Sequence, residues 1–175
     1  MCFDERVELI EFGRLTQRQR RELEGDEQDP FDAAGSTLHF RDKDRHVGLR
    51  DDRGRLVASA GMVVAEVEVA GRRFPVVGLG GVIVNAERRG RGHAREVVTA
   101  ALARAERLGP EFILLFCHAD RAGLYRLLGF TEVGSEVTVD QPDGTATMPM
   151  RAMWRGLRAD ASWPDGGVAL LGLPF

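Results

Sequence analysis

The stretch from Val82 to Pro110 constrains this chain more than any other. An apolar, β-branched run, Val82-Ile83-Val84, leads through Asn85-Ala86-Glu87-Arg88 into Arg89-Gly90-Arg91-Gly92-His93-Ala94, then straight into a helical pattern. Ala94, Val97, Val98, Ala101, Leu102, Ala105 and Leu108 recur on one helical face, which predicts a helix over Gly92 to Leu108. Gly109-Pro110 is the expected stop, since glycine closes a last turn and proline cannot continue the ladder. A strand that turns through glycines into a helix start exposes amides with no intrahelical partner, at the positive end of the helix dipole. Glycines let a phosphate reach that backbone, and Arg88, Arg89 and Arg91 add cationic help. A Rossmann site would want a third glycine where Arg95 stands and an acid at the end of the next strand, but Glu111 stands at its start. A Walker loop is excluded by the missing Gly-Lys-Ser/Thr.

The rest of the chain supplies a sheet around this unit. Val7 to Phe12 reads as a strand, and Thr16-Gln17-Arg18-Gln19 as a capping box opening a helix to about Glu24. Gly25 to Arg45, which holds Pro30, Phe31, Leu38 and Phe40, is expected to be a structured loop or short helix. His46–Arg50 and Arg55–Val69 are strands joined at Asp52-Arg53-Gly54, and a turn at Ala70-Gly71-Arg72 leads into Phe74–Val84, with an irregular start at Pro75. Phe112–Cys117 is a short apolar strand. Leu124, Leu127 and Leu128 mark a helix with Gly129 as its C-cap. Gly134–Val139 and Thr145–Trp154 read as a closing hairpin over Pro142-Asp143-Gly144. The order β-α-β-β-β-α-β-α-β-β is an α+β sheet with helices on its faces. With no repeat and no boundary, residues 1–175 are expected to form a single domain.

Charge and composition exclude several functions. A net charge of −3 leaves no electrostatic footprint for nucleic acid. No apolar run approaches the ~20 residues that a membrane span needs, so no membrane partner is expected. The start, Met1-Cys2-Phe3-Asp4-Glu5, lacks the pattern of a signal peptide. Cys2 and Cys117 are too few for a disulfide framework, so the expected compartment is the cytoplasm, with both thiols reduced. No metal site is expected. Lys43 is the only lysine; it lies in Arg41-Asp42-Lys43-Asp44-Arg45, which reads as a solvated loop.

On the residues alone, the turn at 89–94 is either an ordinary basic turn or a site for a diphosphate ligand. Two motifs resemble a known family. Arg89-x-x-Gly92-x-Ala94 looks like the R/Q-x-x-G-x-G/A pyrophosphate motif of the GNAT superfamily, and Leu124-Tyr125-Arg126-Leu127-Leu128-Gly129-Phe130 resembles its L-Y-x-x-x-G-F signature. The resemblance covers roughly Val47 to Met153. It implies the GNAT (acyl-CoA N-acyltransferase) fold, a mixed, mostly antiparallel sheet flanked by helices. It also implies a splay between Val76–Val84 and Phe112–Cys117, with the pantetheine arm of acetyl-CoA in the gap. Coenzyme contacts are then expected from Val82, Ile83, Val84, Arg89, Gly90, Arg91, Gly92, His93, Ala94 and His118. A narrower likeness joins Gly54–Val84 and the ending Met153-Trp154-Arg155 through Ser162-Trp163-Pro164-Asp165-Gly166-Gly167 to the aminoglycoside 2′-N-acetyltransferases. The ending is similar too to the Trp-Pro-x-Gly of nodulation N-acyltransferases. This likeness implies a tail that lines the acceptor pocket, with Phe31, Asp32, Gly80 and Gly81 as acceptor contacts. The aminoglycoside enzymes carry a glutamate where Gly80 stands.

Acyl transfer from a thioester to an amine needs a neutral amine, a donor for the carbonyl oxygen, alignment, and a proton for the leaving thiolate. The amides of Gly81-Val82-Ile83-Val84 are the expected oxygen donors. Tyr125, the only tyrosine, stands where the superfamily keeps its thiolate-protonating phenol, and a phenol titrates near pH 10. Cys117 and His118 point to opposite faces as strand neighbours and make no dyad, so Cys117 is expected to be buried and inert. Glu66 and Glu68 share a face, as solvated groups or as a base at the acceptor site. Trp163, Leu170, Leu171, Leu173 and Phe175 are expected to dock on the body, since apolar area left in water costs about 25 cal/mol per Å². The expected activity is transfer of acetyl from acetyl-CoA to a primary amine of a small molecule by direct attack in a ternary complex, the acceptor being aminoglycoside-like or another amine. The rival expectation is a non-catalytic coenzyme A or ligand-binding protein. A homodimer is left open.

Overall fold

A computed structural model describes residues 6–175; Cys2 lies outside the described residues. The elements are β1 (Glu8–Phe12), α1 (Gln17–Glu24), β2 (Arg45–Arg50), β3 (Leu56–Val69), β4 (Arg72–Val84), α2 (His93–Ala105), β5 (Phe112–Cys117), α3 (Ala122–Leu127), β6 (Thr131–Glu132), β7 (Val137–Gln141), β8 (Gly144–Thr147), β9 (Arg151–Gly156) and β10 (Val168–Leu170). They form one sheet in the order β6-β9-β5-β4-β3-β10-β7-β8, with β2 beside β3 and β1 beside β2. β3 is long enough to carry β2 along its first half and β10 along its end. The sheet curls strongly. Only residues 133–136 join β6, at one end of the order, to β7 near the other, and five peptide steps reach at most about 17 Å.

Local chemistry accounts for most of these elements. The capping box at α1 forms as expected: the Gln19 amide donates to Thr16 Oγ1 at 3.2 Å, and the Thr16 amide to Gln19 Oε1 at 2.9 Å. The β3–β4 hairpin turns on Ala70 and Gly71, both left-handed at φ 50° and 77°, as a type I′ turn requires. β4 begins at Arg72, earlier than expected, and Pro75 sits inside it opposite Glu66. Counted from the closing Val69–Arg72 pair, that is a non-hydrogen-bonded site, and β5 joins only at Val77, so the missing amide leaves no ladder bond unmade.

Helix α2 buries Val97, Val98, Ala101, Leu102 and Ala105 against Val47, Met62, Val77, Leu79, Ile113 and Leu115. It stops at Ala105, before Gly109-Pro110. The next turn tightens to i→i−3 bonds, Arg107 to Arg104 and Leu108 to Ala105, which use carbonyls an α-helix end leaves unpaired. Helix α3 ends in a Schellman motif. The Phe130 amide donates to the Tyr125 carbonyl and the Gly129 amide to Arg126, both at 3.0 Å, with Gly129 at φ 85°. Its apolar contact is Phe130 against Tyr125, with ring centroids 5.7 Å apart. Leu127, expected to mark the packed face, is 78% exposed; Ala122 and Tyr125 are the buried residues.

The expected closing hairpin is corrected. Gly144–Thr147 does return on β7, but Thr145–Trp154 is not one strand. The chain leaves β8 at Thr147 and re-enters as β9 between β6 and β5. Pro149 lies in the break, where a proline would leave a ladder amide missing in an interior strand. β6 and β10 carry too few residues to show a period. The apolar tail is docked, and more deeply than as a lining: β10 lies inside the sheet, between β3 and β7. Trp163 stacks on Trp154 at 5.7 Å and meets Phe74 and Phe112 edge-on.

Candidate active site

Two features of β4 open the sheet. β4 pairs with β5 only at Val77–Ile113, Gly78–Leu114 and Leu79–Leu115, although β4 runs on to Val84 and β5 to Cys117. Gly80 and Ile83 pair with Gly61 and Ser59, so Gly81 and Val82 together oppose Ala60. This is a bulge, and Gly81 takes the left-handed conformation, φ 59°, that such a bulge asks of its first residue. Beyond Leu79 the β5-side edge of β4, through Val82, Ile83 and Val84, has no strand partner among the described residues. The expected splay is present at the expected strands.

The gap leads to the turn before α2. Arg88 is held by Asp51, N to O 3.1 Å, and the same carboxylate accepts from Arg55 at 3.0 and 3.1 Å. Burial pushes the Asp51 carboxyl up, but the Arg55 amide, its guanidinium and the Arg53 amide outweigh that and hold it below its usual range. Arg89 donates to the Val84 carbonyl at 3.1 Å and grips both oxygens of Glu27 at 3.0 and 2.6 Å. The cationic help expected of Arg88 and Arg89 is thus committed to fixing the turn. Beyond this frame the two glycines of the turn are open among the described residues. Gly90 and Gly92 are left-handed, φ 77° and 82°, and a Cβ built on either meets nothing within 4 Å. Gly92 is the N-cap of α2 and offers no side-chain cap, so the first amides of the helix face open space. Ala94 is half-buried and Arg91 exposed. The His93 side chain is buried, its Nδ1 3.4 Å from Glu96 and its Nε2 unpartnered, which leaves only its main chain for a ligand in the turn.

At the other wall of the gap, Tyr125 is buried beside Cys117. Burial, with Cys117 adding, pushes its phenol up to about 12. This corrects the expectation of an ordinary phenol: burial holds the hydroxyl protonated. Cys117 is buried, pushed up to about 11, with Sγ 3.8 Å from Met153 Sδ, and is inert as expected. His118 Nε2 lies 3.1 Å from the Asp32 carbonyl, which brings a residue expected at the coenzyme to one expected at the acceptor. Asp32 is itself left-handed, φ 53°, in a turn fixed by Asp29, whose carboxylate accepts from Ala33 and Ala34. Phe31 is 43% exposed on that turn.

The face of β4 away from α2 differs from expectation. A Cβ on Gly78 would lie 2.6 Å from the Phe175 ring, and one on Gly80 would lie 2.5 Å from the Phe175 main chain and 2.7 Å from Lys43 Cε. The space for a side chain at Gly80 is therefore taken, and a glutamate has no room there. Lys43, expected in a solvated loop, is half-buried across these glycines. Its loop is fastened by the Arg41 amide to the Pro174 carbonyl at 2.8 Å and by Gln141 to both main-chain groups of His39. Beside it His46 is buried, stacked on Phe12, with Nδ1 2.5 Å from the Gly13 carbonyl; burial lowers its pKa. Sequence reasoning missed both residues. The one available signal was that the chain's sole lysine replaces arginine in an otherwise arginine-rich protein. Glu66 and Glu68 sit at the closed end of the β3–β4 hairpin, Glu66 opposite Pro75 and Glu68 paired with Arg73 at 2.8 Å. Five residues of strand, about 16 Å, separate Pro75 from Gly80, so both glutamates stand far from the Gly81 bulge.

A groove of about 730 Å³ runs between α1 and Asn85–Arg88, on the flank of the turn. Among the described residues no cluster of three or more His, Cys, Asp or Glu is placed to hold a metal, and no helix is long and apolar enough to cross a membrane.

Comparison with known proteins agrees with this geometry. No curated protein matches the sequence. The fold is that of GNAT family N-acetyltransferases. YhbS of Escherichia coli, solved with CoA, superposes with a TM-score of 0.62 at 19% identity, over 99% of each chain. A GNAT family acetyltransferase from Brucella melitensis, solved with acetyl-CoA, gives 0.55 at 17% identity, over 93% of this chain and 95% of that one. A phosphinothricin acetyltransferase from Sinorhizobium meliloti gives 0.50 at 23%, over 69% and 65%. The family model for the acetyltransferase (GNAT) domain matches residues 20–133, which holds the splay, the glycine turn and Tyr125, and the chain belongs to that family.

Proposed function

We propose that this chain, acting as a single domain, transfers an acetyl group from acetyl-CoA to a primary amine of a small molecule by direct attack in a ternary complex. The observation that carries the reading is one continuous track: the partnerless edge of β4, the Gly81 bulge, and the open, uncapped start of α2. The E. coli and B. melitensis relatives, solved with CoA and acetyl-CoA, support that ligand. The pyrophosphate lies on the amides from Gly90 to Ala94, and the pantetheine pairs with the edge of Val82–Val84. The thioester then reaches the bulge, where an amide of β4 donates to its carbonyl oxygen. The amine nitrogen bonds to the carbonyl carbon, and collapse expels the thiolate. Tyr125 meets the leaving sulfur as a donor, and its raised pKa keeps it protonated until sulfur carries charge. The amine's surplus proton passes to water. The test is thiol release from acetyl-CoA over a panel of amines. Tyr125→Phe should leave coenzyme affinity unchanged in calorimetry and lower kcat by about 10²-fold or more. A kcat within about twofold of wild type would reduce Tyr125 to a packing residue.

One observation favours a second reading. Gly80 is sealed by Phe175 and no side-chain carboxylate stands there, as suits a protein that holds coenzyme A without turnover. Coenzyme binding with no thiol released from any amine would select it.

A further inference from the structure

Residues 27–32 run across the open end of the gap between β4 and β5. One anchor is on the β4 side. Arg89 holds both oxygens of Glu27 at 3.0 and 2.6 Å, and its own Nε donates to the carbonyl of Val84, the last residue of β4. The other anchor is on the β5 side. Nε2 of His118, the residue after β5, lies 3.1 Å from the Asp32 carbonyl. A carbonyl only accepts, so Nε2 carries the proton. Five peptide steps join the anchors, a reach of at most about 17 Å. The segment is fixed from within as well. The Asp32 amide donates to the Asp29 carbonyl at 3.2 Å, and the Ala33 and Ala34 amides donate to the Asp29 carboxylate at 2.8 and 2.9 Å. Those two amides, and more weakly the nearby His118, hold the Asp29 carboxyl below its usual range. Asp32 sits at φ 53°, a left-handed conformation that a residue other than glycine adopts at a cost and that its surroundings must hold. The strap also has a side. Leu23 of α1 packs on Leu56 and Ile83, whereas Val82 and Val84 belong to the core under α2, on the opposite face. Glu27 follows the end of α1 by three residues, so the strap comes over the gap from the face away from α2.

We propose that His118 is a positioning residue for the acceptor: by holding the Asp32 carbonyl it fixes the 27–32 strap as the acceptor-side wall of the gap. The proposal rests on the transferase reading above and deepens it. In that reading the coenzyme lies over the start of α2, so the amine is left the opposite face, where the strap lies. Phe31, next to the held carbonyl and 43% exposed, is the large apolar group that this wall offers. With Nε2 spent on Asp32, His118 acts on the acceptor through the strap rather than by touching the coenzyme. The two anchors are unequal. Cutting the one at Asp32 frees the wall alone; cutting the one at Glu27 also frees Arg89, which frames the coenzyme turn.

The test compares His118→Ala, which removes the donor, with His118→Gln, which keeps an N–H group there. Hydrogen–deuterium exchange over residues 27–34 should quicken by about fivefold or more in His118→Ala, the worth of one hydrogen bond, and stay within about twofold of wild type in His118→Gln. Thiol release from acetyl-CoA is then followed with 2-phenylethylamine or, if that is silent, with the first active amine of the panel above. His118→Ala should raise the amine KM by about fivefold or more, with kcat within about twofold and acetyl-CoA affinity unchanged in calorimetry; His118→Gln should restore the KM. Glu27→Gln should quicken the same exchange and weaken acetyl-CoA as well. A thermal melt of each variant separates these effects from unfolding. Exchange unchanged in His118→Ala overturns the anchor, and so does a His118→Gln that behaves like His118→Ala. An acetyl-CoA affinity that falls as far as the amine KM rises makes His118 a coenzyme contact and overturns the proposal, as does a loss confined to kcat. If no amine releases thiol, the transfer reading falls by itself. The strap is then judged without an acceptor: quickened exchange with acetyl-CoA affinity unchanged in His118→Ala upholds it, and unchanged exchange overturns it.

Discussion

Two sets of glycines flank the gap in the sheet, and they are glycine for opposite reasons. Gly90 and Gly92 are left-handed, and among the described residues a Cβ on either meets nothing within 4 Å. Gly61, Gly78 and Gly80 are in regular strand, and the space beside each is already taken, by Lys43 and His46, by the Phe175 ring, or by Phe175 and Lys43 together. The first set makes room for a molecule that arrives, the second for parts of the protein itself. The α2 side of the gap is an open cradle on a rigid frame, and the other face is a wall built from a distant loop and the tail.

The comparison breaks most readily at the frame. Asp51 has no exposed side-chain surface and holds both Arg55 and Arg88. Asp51→Asn should cost about 1–3 kcal/mol, since it removes the charged partner of the largely covered Arg88, while the exposed Arg55 can turn to water, and a chemical denaturation curve measures it. Because the folded-state pKa of Asp51 is depressed, its contribution is complete above the ordinary carboxyl value of about 3.9 and is lost as pH falls through the lower folded value. Wild type should therefore lose more stability than Asp51→Asn between about pH 4 and pH 2. Parallel curves would show that Asp51 titrates alike in both states.

The two glycine sets should then separate under the same substitution. Gly80→Ala drives a methyl into the Phe175 main chain and should cost about 1–3 kcal/mol by overpacking. Gly90→Ala meets only the left-handed backbone penalty, about 1 kcal/mol. The readout is the difference in Tm between the two variants. Equal losses would erase the distinction between filled and open glycines.

The legibility of the chain follows the same division. The coenzyme side could be read because its parts are contiguous: the apolar run to Val84, the glycines at 90 and 92 and the periodic face of α2 follow one another without a break. Tyr125 and the Gly129 stop were legible for the same local reason, although the exposure of Leu127 was not. The wall on the other face was illegible, because what fills Gly80 comes from Lys43 and Phe175, far away along the chain in either direction. The run around Lys43 is as charged as any solvated loop, and nothing in its composition records that the Pro174 carbonyl and Gln141 fasten it. β10 escaped notice because three residues hold no period, and the supposed strand from Thr145 to Trp154 concealed a break that Pro149 alone announced.

The central claim, a pyrophosphate seated on the amides that open α2, is tested most directly by calorimetric titration of acetyl-CoA into wild type and Gly92→Asp. Gly92 is the N-cap, so an aspartate there carries its own carboxylate to the amides and competes for them with bulk and charge together. The account predicts affinity weakened by well over about tenfold, equivalent to more than about 1.4 kcal/mol, in a variant whose melting curve stays cooperative. Acetyl-CoA bound by the folded variant as tightly as by wild type would contradict it.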